Sequence, residues 1–365
     1  MNNVQQLMNE YRKHFYSAYH SKISHLLQRF EIKRKKQLFL MLLTECAIIG
    51  FAIWMIVCLN LMSAWNDGSE LLGIVIGMGA VGLILVPITF NKKFTNELKK
   101  YCLKPILDIF GVINWKQNAI EDVELEKSEL FAMYNRRSTD DGFEGEYKGV
   151  KFEIAETYLS YETGSGKNRR CRKVFDGVVV KFASNKKIAA KTMIATKGDQ
   201  NTKRGGILSA FLIILSSVIA ITFSSGFDRV IIISASLFIA LLILLGVLTN
   251  KDKEEVLKPI HLEDPIFDKK FKVYSTNEVE CRYLITTAFM DRFLNLKTAF
   301  GAKNAKCAFY DDVIMFAIST NKNLFEIGSI YSKLDNPKQL NKFFNEFASI
   351  LLLVEHFKLD QKIGL

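Results

Sequence analysis

The sequence predicts an α-helical membrane protein, four spans in two hairpins, carrying a cytoplasmic α+β domain assembled from two segments. Three observations lead there: four long apolar runs, their grouping into two close pairs, and an uneven distribution of Lys and Arg around them. The runs are Cys46 to Trp65 (with an apolar lead-in from Leu38), Leu71 to Phe90, Ile207 to Phe223 and Val230 to Leu248. Each falls in the range of about 17–25 residues used by a spanning helix, and a core helix of a soluble protein rarely stays apolar on every side over that length.

The peptide "NDGSE" joins the first two runs and "SSGFDR" the last two, so each pair reads as a tight helical hairpin. Cytoplasmic flanks of spans collect Lys and Arg. Residues 1–37 hold eight of them, including the block from Lys33 to Lys36. Lys92, Lys93, Lys99, Lys100 and Lys104 follow the first pair; Lys197, Lys203 and Arg204 precede the second, and Lys251, Lys253 and Lys258 follow it. The two links contain only Arg229, so both termini and both large segments are expected in the cytoplasm. Basic flanks also account for the net charge of +11. No zinc-finger spacing or aromatic-rich RNA-binding motif accompanies it, and nucleic acid is not an expected partner.

Charged and polar residues precede the first apolar run, a pattern that does not fit a cleavable signal peptide. The six cysteines (46, 58, 102, 171, 281 and 307) are scattered without a C-x-x-C pair and read as reduced thiols, with neither disulfides nor a zinc site.

The amino-terminal segment repeats apolar residues at three- and four-residue steps: Val4, Leu7, Met8, Tyr11, Phe15, Ala18, Tyr19, Ile23, Leu26 and Phe30. Such a helix either lies on the inner leaflet or packs on the cytoplasmic domain. A further helix is predicted over Thr95 to Phe110. Strand signals follow. Val150, Phe152 and Ile154 alternate with polar residues, and Thr157, Leu159 and Tyr161 continue after a one-residue change of face, which suggests a bulge. "VFDGVVVKF" (174–182) is a second strand.

Between these strands lies "ETGSGKNRR", which resembles a phosphate-gripping loop. A Walker loop needs Gly, four residues, then Gly-Lys-Ser/Thr on a strand-to-helix turn. Here Tyr161 stands where the first Gly belongs, Asn168 follows Lys167, and strands flank both sides. The peptide is predicted to be a hairpin turn. Its basic cluster, Lys167, Arg169, Arg170, Arg172 and Lys173, is either a solvated tip or a contact for anionic headgroups or an acidic partner.

In the second large segment "FDKKFKVYS" reads as a strand, "NEVECRYLITTAFMDRFLNL" as one helix, and "KCAFYDDVIMFAIS" as a hairpin turning at Asp311-Asp312. Pro337 to Phe357 reads as a closing amphipathic helix, with Asp335-Asn336-Pro337 as its start signal. Neither segment has strands enough for a stable sheet, so the two are expected to build one domain. The predicted organisation is therefore 1–37, a basic amphipathic helix; 38–90, the first transmembrane hairpin; 91–204, the first half of the cytoplasmic domain; 205–248, the second hairpin; and 249–365, the second half.

Leu262, Glu263, Asp264, Pro265 and Phe267 form a Leu-Glu-Asp-Pro stretch with a following Phe, Val273, Tyr274 and Ser275 form a Val-Tyr-Ser segment, and both resemble stretches of bacterial domain-of-unknown-function family 3137. Val279, Glu280, Arg282, Tyr283 and Leu284 match an acidic-x-x-Arg-Tyr-Leu helix start, and Met290 to Arg292 a Met-acidic-Arg step. The "VFDGVVVKF" strand and "LFEI" (324–327) add to the likeness, which runs from the first hairpin to the carboxyl terminus, about two thirds of the chain. The resemblance implies an integral protein of the bacterial inner membrane with a cytoplasmic domain of no assigned activity. This sequence departs from the commoner single-hairpin arrangement by carrying residues 206–248 between the two halves.

No catalytic or metal-binding constellation is recognisable, and no cofactor is expected. The five histidines (14, 20, 25, 261 and 356) form no His-Glu-x-x-His or Cys/His arrangement. Glu45 lies at the edge of the first run and reads as an interfacial group. The other three runs hold no Asp, Glu, Lys, Arg or His, which argues against an ion pathway. Gly73 and Gly77, with Gly79 and Gly82 beyond, mark a close-packing face on the first or fourth run. The pairs Asp140-Asp141 and Asp311-Asp312 read as turn chemistry. Glu263, Asp264, Asp268, Arg282 and Tyr283 form the candidate pocket, read first as a structural ion-pair network. The function expected is a membrane-tethered cytoplasmic binding or regulatory module, with the lipid bilayer as its constant partner. The alternative is a membrane-bound enzyme acting on a lipid or nucleotide substrate.

Overall fold

The computed structural model describes residues 2–63, 69–199, 257–299, 302, 304–320, 322–334 and 337–359. The third and fourth apolar runs, both link peptides in whole or part, and the Asp335-Asn336 start signal lie outside these residues. In chain order the helices are α1 (Asn2–Ala18), a π-helical turn (Tyr19–Ile23), α2 (Ser24–Ser63), α3 (Ser69–Leu107), α4 (Asp122–Ser128), α5 (Pro265–Lys270), α6 (Glu278–Leu284), α7 (Thr287–Ala299), α8 (Lys338–Leu351) and α9 (Leu353–His356). The strands are β1 (Ile113–Trp115), β2 (Arg136–Tyr147), β3 (Val150–Thr163), β4 (Arg170–Ala183), β5 (Thr192–Thr196), β6 (Lys258–Ile260), β7 (Phe271–Ser275), β8 (Asn304–Tyr310) and β9 (Val313–Ser319). Two compact units result. The first takes residues 1–117, 143–151 and 323–356, and the second takes 118–142, 152–322 and 357–365.

In the first unit α2 and α3 run to 40 and 39 residues. Their outer stretches are apolar and uncovered: Phe39, Phe51, Trp54, Met78 and Ile84 are all more than half exposed. Close approach of the two helices falls at Gly79 and Gly82, where an added Cβ would touch Ala52 and Ile48. Gly73 and Gly77, the pair expected to pack, have open space beside them. The inner stretches are covered. Leu27, Phe30, Arg34 and Met41 of α2 are buried, as are Phe94, Leu98, Lys99, Cys102 and Leu103 of α3.

Residues 323–334 supply much of that cover. Arg34 donates to the Ile330 carbonyl (2.8 Å) and Asn91 accepts from the Ile330 amide (3.0 Å). Glu31 accepts from the Leu334 amide (3.1 Å), and the buried Lys99 ammonium meets Glu326 at 3.1 Å. Gly328 fits closely against the ends of the Leu98 and Leu334 side chains. The "LFEI" peptide is thus a fastening for the helical stem, with Phe325 held at φ 58 and its amide bonded to Glu346. The amphipathic α8 turns Phe343, Phe344 and Phe347 inward, where they meet Phe143, Phe110 and Phe15.

The amino-terminal helix packs within this unit. Phe15 stacks on Phe344 with ring centroids 4.6 Å apart. The buried stripe then continues through Ile23, Leu27 and Phe30, and Leu27 replaces the expected Leu26.

In the second unit the strands run in the order β2-β3-β4-β9-β8-β5-β7-β6. From β3 to β6 every neighbouring pair is antiparallel, with β4 on β9 and β5 between β8 and β7. Strands from the two sides of residues 200–256 therefore interleave in one sheet. Both faces are covered: Ile120, Leu125, Phe131 and Phe175 lie with Val179, Met315 and Ala317 on one, and Phe289, Phe293 and Phe357 meet Phe309 and Phe316 on the other. This double burial is why β4, β8 and β9 read as nearly continuous apolar runs. At Gly177 the β4 backbone passes so near Ile318 and Ser319 that any Cβ would collide with them. The Asp311-Asp312 hairpin forms as expected, with both residues at positive φ (45° and 59°), the backbone of a two-residue primed turn.

Four readings are corrected. Asp140-Asp141 lies inside β2, and the β2–β3 turn is Lys148-Gly149. The expected strand over 267–275 begins as α5, because Asp264 caps the amides of Ile266 and Phe267 and Pro265 occupies the first helical position. The single helix over 277–296 breaks at Ile285 into α6 and α7. The register shift between β3 and β4 falls at Leu159/Ser160, beyond the predicted change of face after Ile154.

Lys306, on β8, is buried against the Asp199 carboxylate (3.0 Å) and donates to the Leu130 carbonyl (3.0 Å). Burial pushes its pKa down, while Asp199 pulls it back up. Removing one member of such a pair strands the other charge, so Lys306→Met should cost about 3–5 kcal/mol in denaturant unfolding. Lys306→Met with Asp199→Leu should recover most of that loss; equal loss in both variants would contradict a charge-pair origin.

In the first unit Arg34 bonds both carboxylate oxygens of Glu31 (2.7 and 2.8 Å) and holds its pKa below the ordinary 4.5. A lowered carboxylate pKa contributes stability that is complete above 4.5 and is lost as pH falls through the folded value. Wild type should therefore exceed Glu31→Gln by about 1–3 kcal/mol at neutral pH. That margin should shrink below pH 4.5, as melting curves of both proteins across the acid range would show.

Candidate functional site

The "ETGSGKNRR" peptide forms the tip of the β3–β4 hairpin, Thr163 pairing with Arg170 around a short 3₁₀ turn at Gly166–Asn168. Its cations are not equivalent. Arg169 binds Glu162 at 2.6 Å, Arg136 joins the same carboxylate at 3.2 Å, and Lys173 binds Asp176 at 3.2 Å. Arg169 holds the Glu162 carboxyl below its usual range. Arg170 and Arg172 are exposed and, two apart on a strand, share one face. Cys171 between them is exposed as well. Lys167 belongs to the turn itself.

Of the five residues proposed as a pocket, along α5, the two residues before it and α6, Glu263, Arg282 and Tyr283 are exposed and Asp264 and Asp268 half-buried. Arg282 binds Glu278 one turn away (2.9 Å), reaches Glu263 at 3.4 Å and donates to the His261 carbonyl (3.2 Å). Glu278 and Glu263 keep its guanidinium pKa raised. Asp264 is a helix cap, and Asp268 meets Lys197 (3.6 Å) and His261 (3.4 Å). Tyr283 lies beneath the Lys186 ammonium, 5.6 Å from its ring centroid. Exposed pairs of this kind are each worth about 0–1 kcal/mol. The arrangement is a surface ion-pair network with a helix cap.

Sequence reasoning missed two constellations. Asp140, Asp141 and Glu156 bring carboxylate oxygens within 4.8 Å of one another, with Asp141 and Glu156 buried. Hard oxygen ligands suit Mg²⁺ or Ca²⁺, and three carboxylates would fill half an octahedral shell. Glu156 gives no sequence signal, because β3 brings it to the pair from across a turn.

The second is a groove of about 880 Å³ in the first unit. One wall is the face of α1 and the π-turn that carries Tyr11, His14, Ser21 and Lys22; the other is the end of α3, with Lys100, Tyr101, Lys104 and Asp108. Lys148, paired with Glu355, closes one side. Tyr11 and Tyr147 share a hydroxyl hydrogen bond of 3.0 Å, and the Ser21 hydroxyl turns back onto the Ser17 carbonyl (2.9 Å). Lys22, Lys100 and Lys104 are exposed, and among the described residues none of them has an ion-pair partner. The walls are far apart in sequence, and nothing in either stretch signals the other.

Two long apolar helices on an aromatic stem, together with an interleaved antiparallel sheet, define the class: an α+β protein with a hairpin long enough to cross a membrane. The sequence model described as "Protein of unknown function (DUF3137)" matches residues 173–359, and the chain belongs to that family. The match begins within β4, so it reaches less far toward the amino terminus than the resemblance suggests and leaves out α1, α2 and α3. Neither a curated protein nor a solved structure matches the chain.

Proposed function

We propose that this chain is a membrane-tethered module that works by binding, anchored by α2 and α3 with its folded units on the Lys/Arg-rich side. The observation carrying this reading is the uncovered apolar sleeve. The most apolar windows of the two helices are only 6% buried, which does not suit the core of a soluble protein. Lys33, Lys35 and Lys36 on α2, with Lys92 and Lys93 on α3, lie at the same end of the sleeve, where cytoplasmic flanks gather positive charge. The runs at Ile207 to Phe223 and Val230 to Leu248 add a second hairpin to the proposal, with both termini cytoplasmic, and the family resemblance favours a bacterial inner membrane.

An alkaline carbonate wash should leave the chain in the membrane fraction; release into the supernatant would overturn the anchor. In intact cells, single cysteines at Asp67 and Gly226 should react with an impermeant maleimide, and those at Lys127 and Lys322 should not. Outside labelling at Lys127 would reverse the orientation.

The basic hairpin tip belongs to the same proposal as a contact for anionic headgroups. Each Lys or Arg close to an anionic leaflet gains about 1 kcal/mol, enough to orient a protein already anchored. Cys171 is a built-in reporter. With Cys46 and Cys58 changed to Ser, a neutral bulky maleimide should label Cys171 more slowly in anionic than in zwitterionic nanodiscs. In R170Q/R172Q that lipid dependence should disappear. Equal rates in both lipids for the unmodified tip would leave it a solvated turn.

A further inference from the structure

We propose that the groove between α1 and the end of α3 binds a soluble phosphate-bearing small molecule. Its volume of about 880 Å³ lies within the range of small-molecule sites. Its charge pattern selects the ligand class. Lys22 comes from one wall, and Lys100 and Lys104, one helical turn apart, from the other. Lys33, Lys99 and Lys116 elsewhere in the unit, and Lys148 at the side of the groove, each meet a carboxylate, whereas these three do not. Like charges at i and i+4 repel along a helix, and an anion between the walls turns that repulsion into attraction. Ammonium groups act as point-charge phosphate ligands.

The remaining lining refines the class. Glu10 and Asp108 also face the groove, so a bare polyanion is a poorer match than a phosphate on a body bearing hydroxyl or amino groups. The π-turn contributes Ser21 and Lys22 to the wall, and π-turns within α-helices recur at functional sites. A lipid headgroup is the wrong source of the phosphate. At 1.5 Å per residue Lys100 lies about 18 Å of helix from exposed Ile88, and Lys22 about 25 Å from exposed Phe39. This last step rests on the membrane reading above. The groove itself does not, and a chain that failed the carbonate wash would still have it.

The test is calorimetric titration of the full chain in detergent micelles with inorganic pyrophosphate and with ADP. Wild type should bind at least one probe. K22Q/K100Q/K104Q should weaken it by about tenfold or more, the loss of one to two charge-assisted hydrogen bonds. K151Q/K187Q/K272Q, which removes the same charge from exposed lysines elsewhere, should leave affinity unchanged. Matching melting curves would separate lost binding from lost fold, and K104Q alone serves if the triple variant melts early. No binding of either probe to wild type at about 10 mM, or equal weakening in the two triple variants, would overturn the site.

Discussion

The first unit is organised by a mismatch of length. About 20 residues suffice to cross a bilayer, and α2 and α3 are roughly twice that. The surplus turns cannot stay bare, because one face of each is apolar and α3 also carries an ammonium group inward. Residues 323–334 meet both needs. Their backbone satisfies Glu31, Arg34 and Asn91, and Glu326 meets Lys99. The helical stem and the stretch after β9 are therefore held by directional bonds as well as by apolar contact, which fixes the rotation of each helix about its axis.

The second unit solves a different problem with the same economy of chain. A sheet covered on both faces needs long apolar strands, and such strands are hazardous at an edge. Here β4 and β9, the most apolar of them, lie in the interior of the strand order, while the edge at β6 is three residues long. Two polar contacts inside the sheet are made pairwise. Thr192 shares a hydrogen bond with Ser275 at 2.8 Å, and Lys306 is matched by Asp199.

What was legible follows from local periodicity. β3, β4, the β8–β9 hairpin and α8 announce themselves because their pattern is dictated by neighbours within reach of a short window. β2, with "RRSTDDGFEGEY", has no alternation to read, and its strand character comes from its partners. α5 was legible in principle, since Asp264 and Pro265 spell a helix start that outweighs the alternation of the residues after them. The π-turn left no trace in the periodicity of the apolar residues. Candidate-site residues proved harder. The basic tip was read from a single peptide, whereas the groove and the three-carboxylate group each join stretches that only folding brings together.

The interleaved sheet also sets a clock. The Ser319 hydroxyl bonds to the Asp176 carbonyl across a separation of 143 residues. At typical rates of synthesis, about 5–20 residues per second, β4 leaves the ribosome on the order of ten seconds before β9 exists to cover its edge. Throughout that interval an apolar strand waits with open hydrogen-bonding groups, and the chain must make residues 200–256 before the partner arrives. Folding of this unit is thus late and non-local, a topology that folds slowly and depends on protection of the nascent strand.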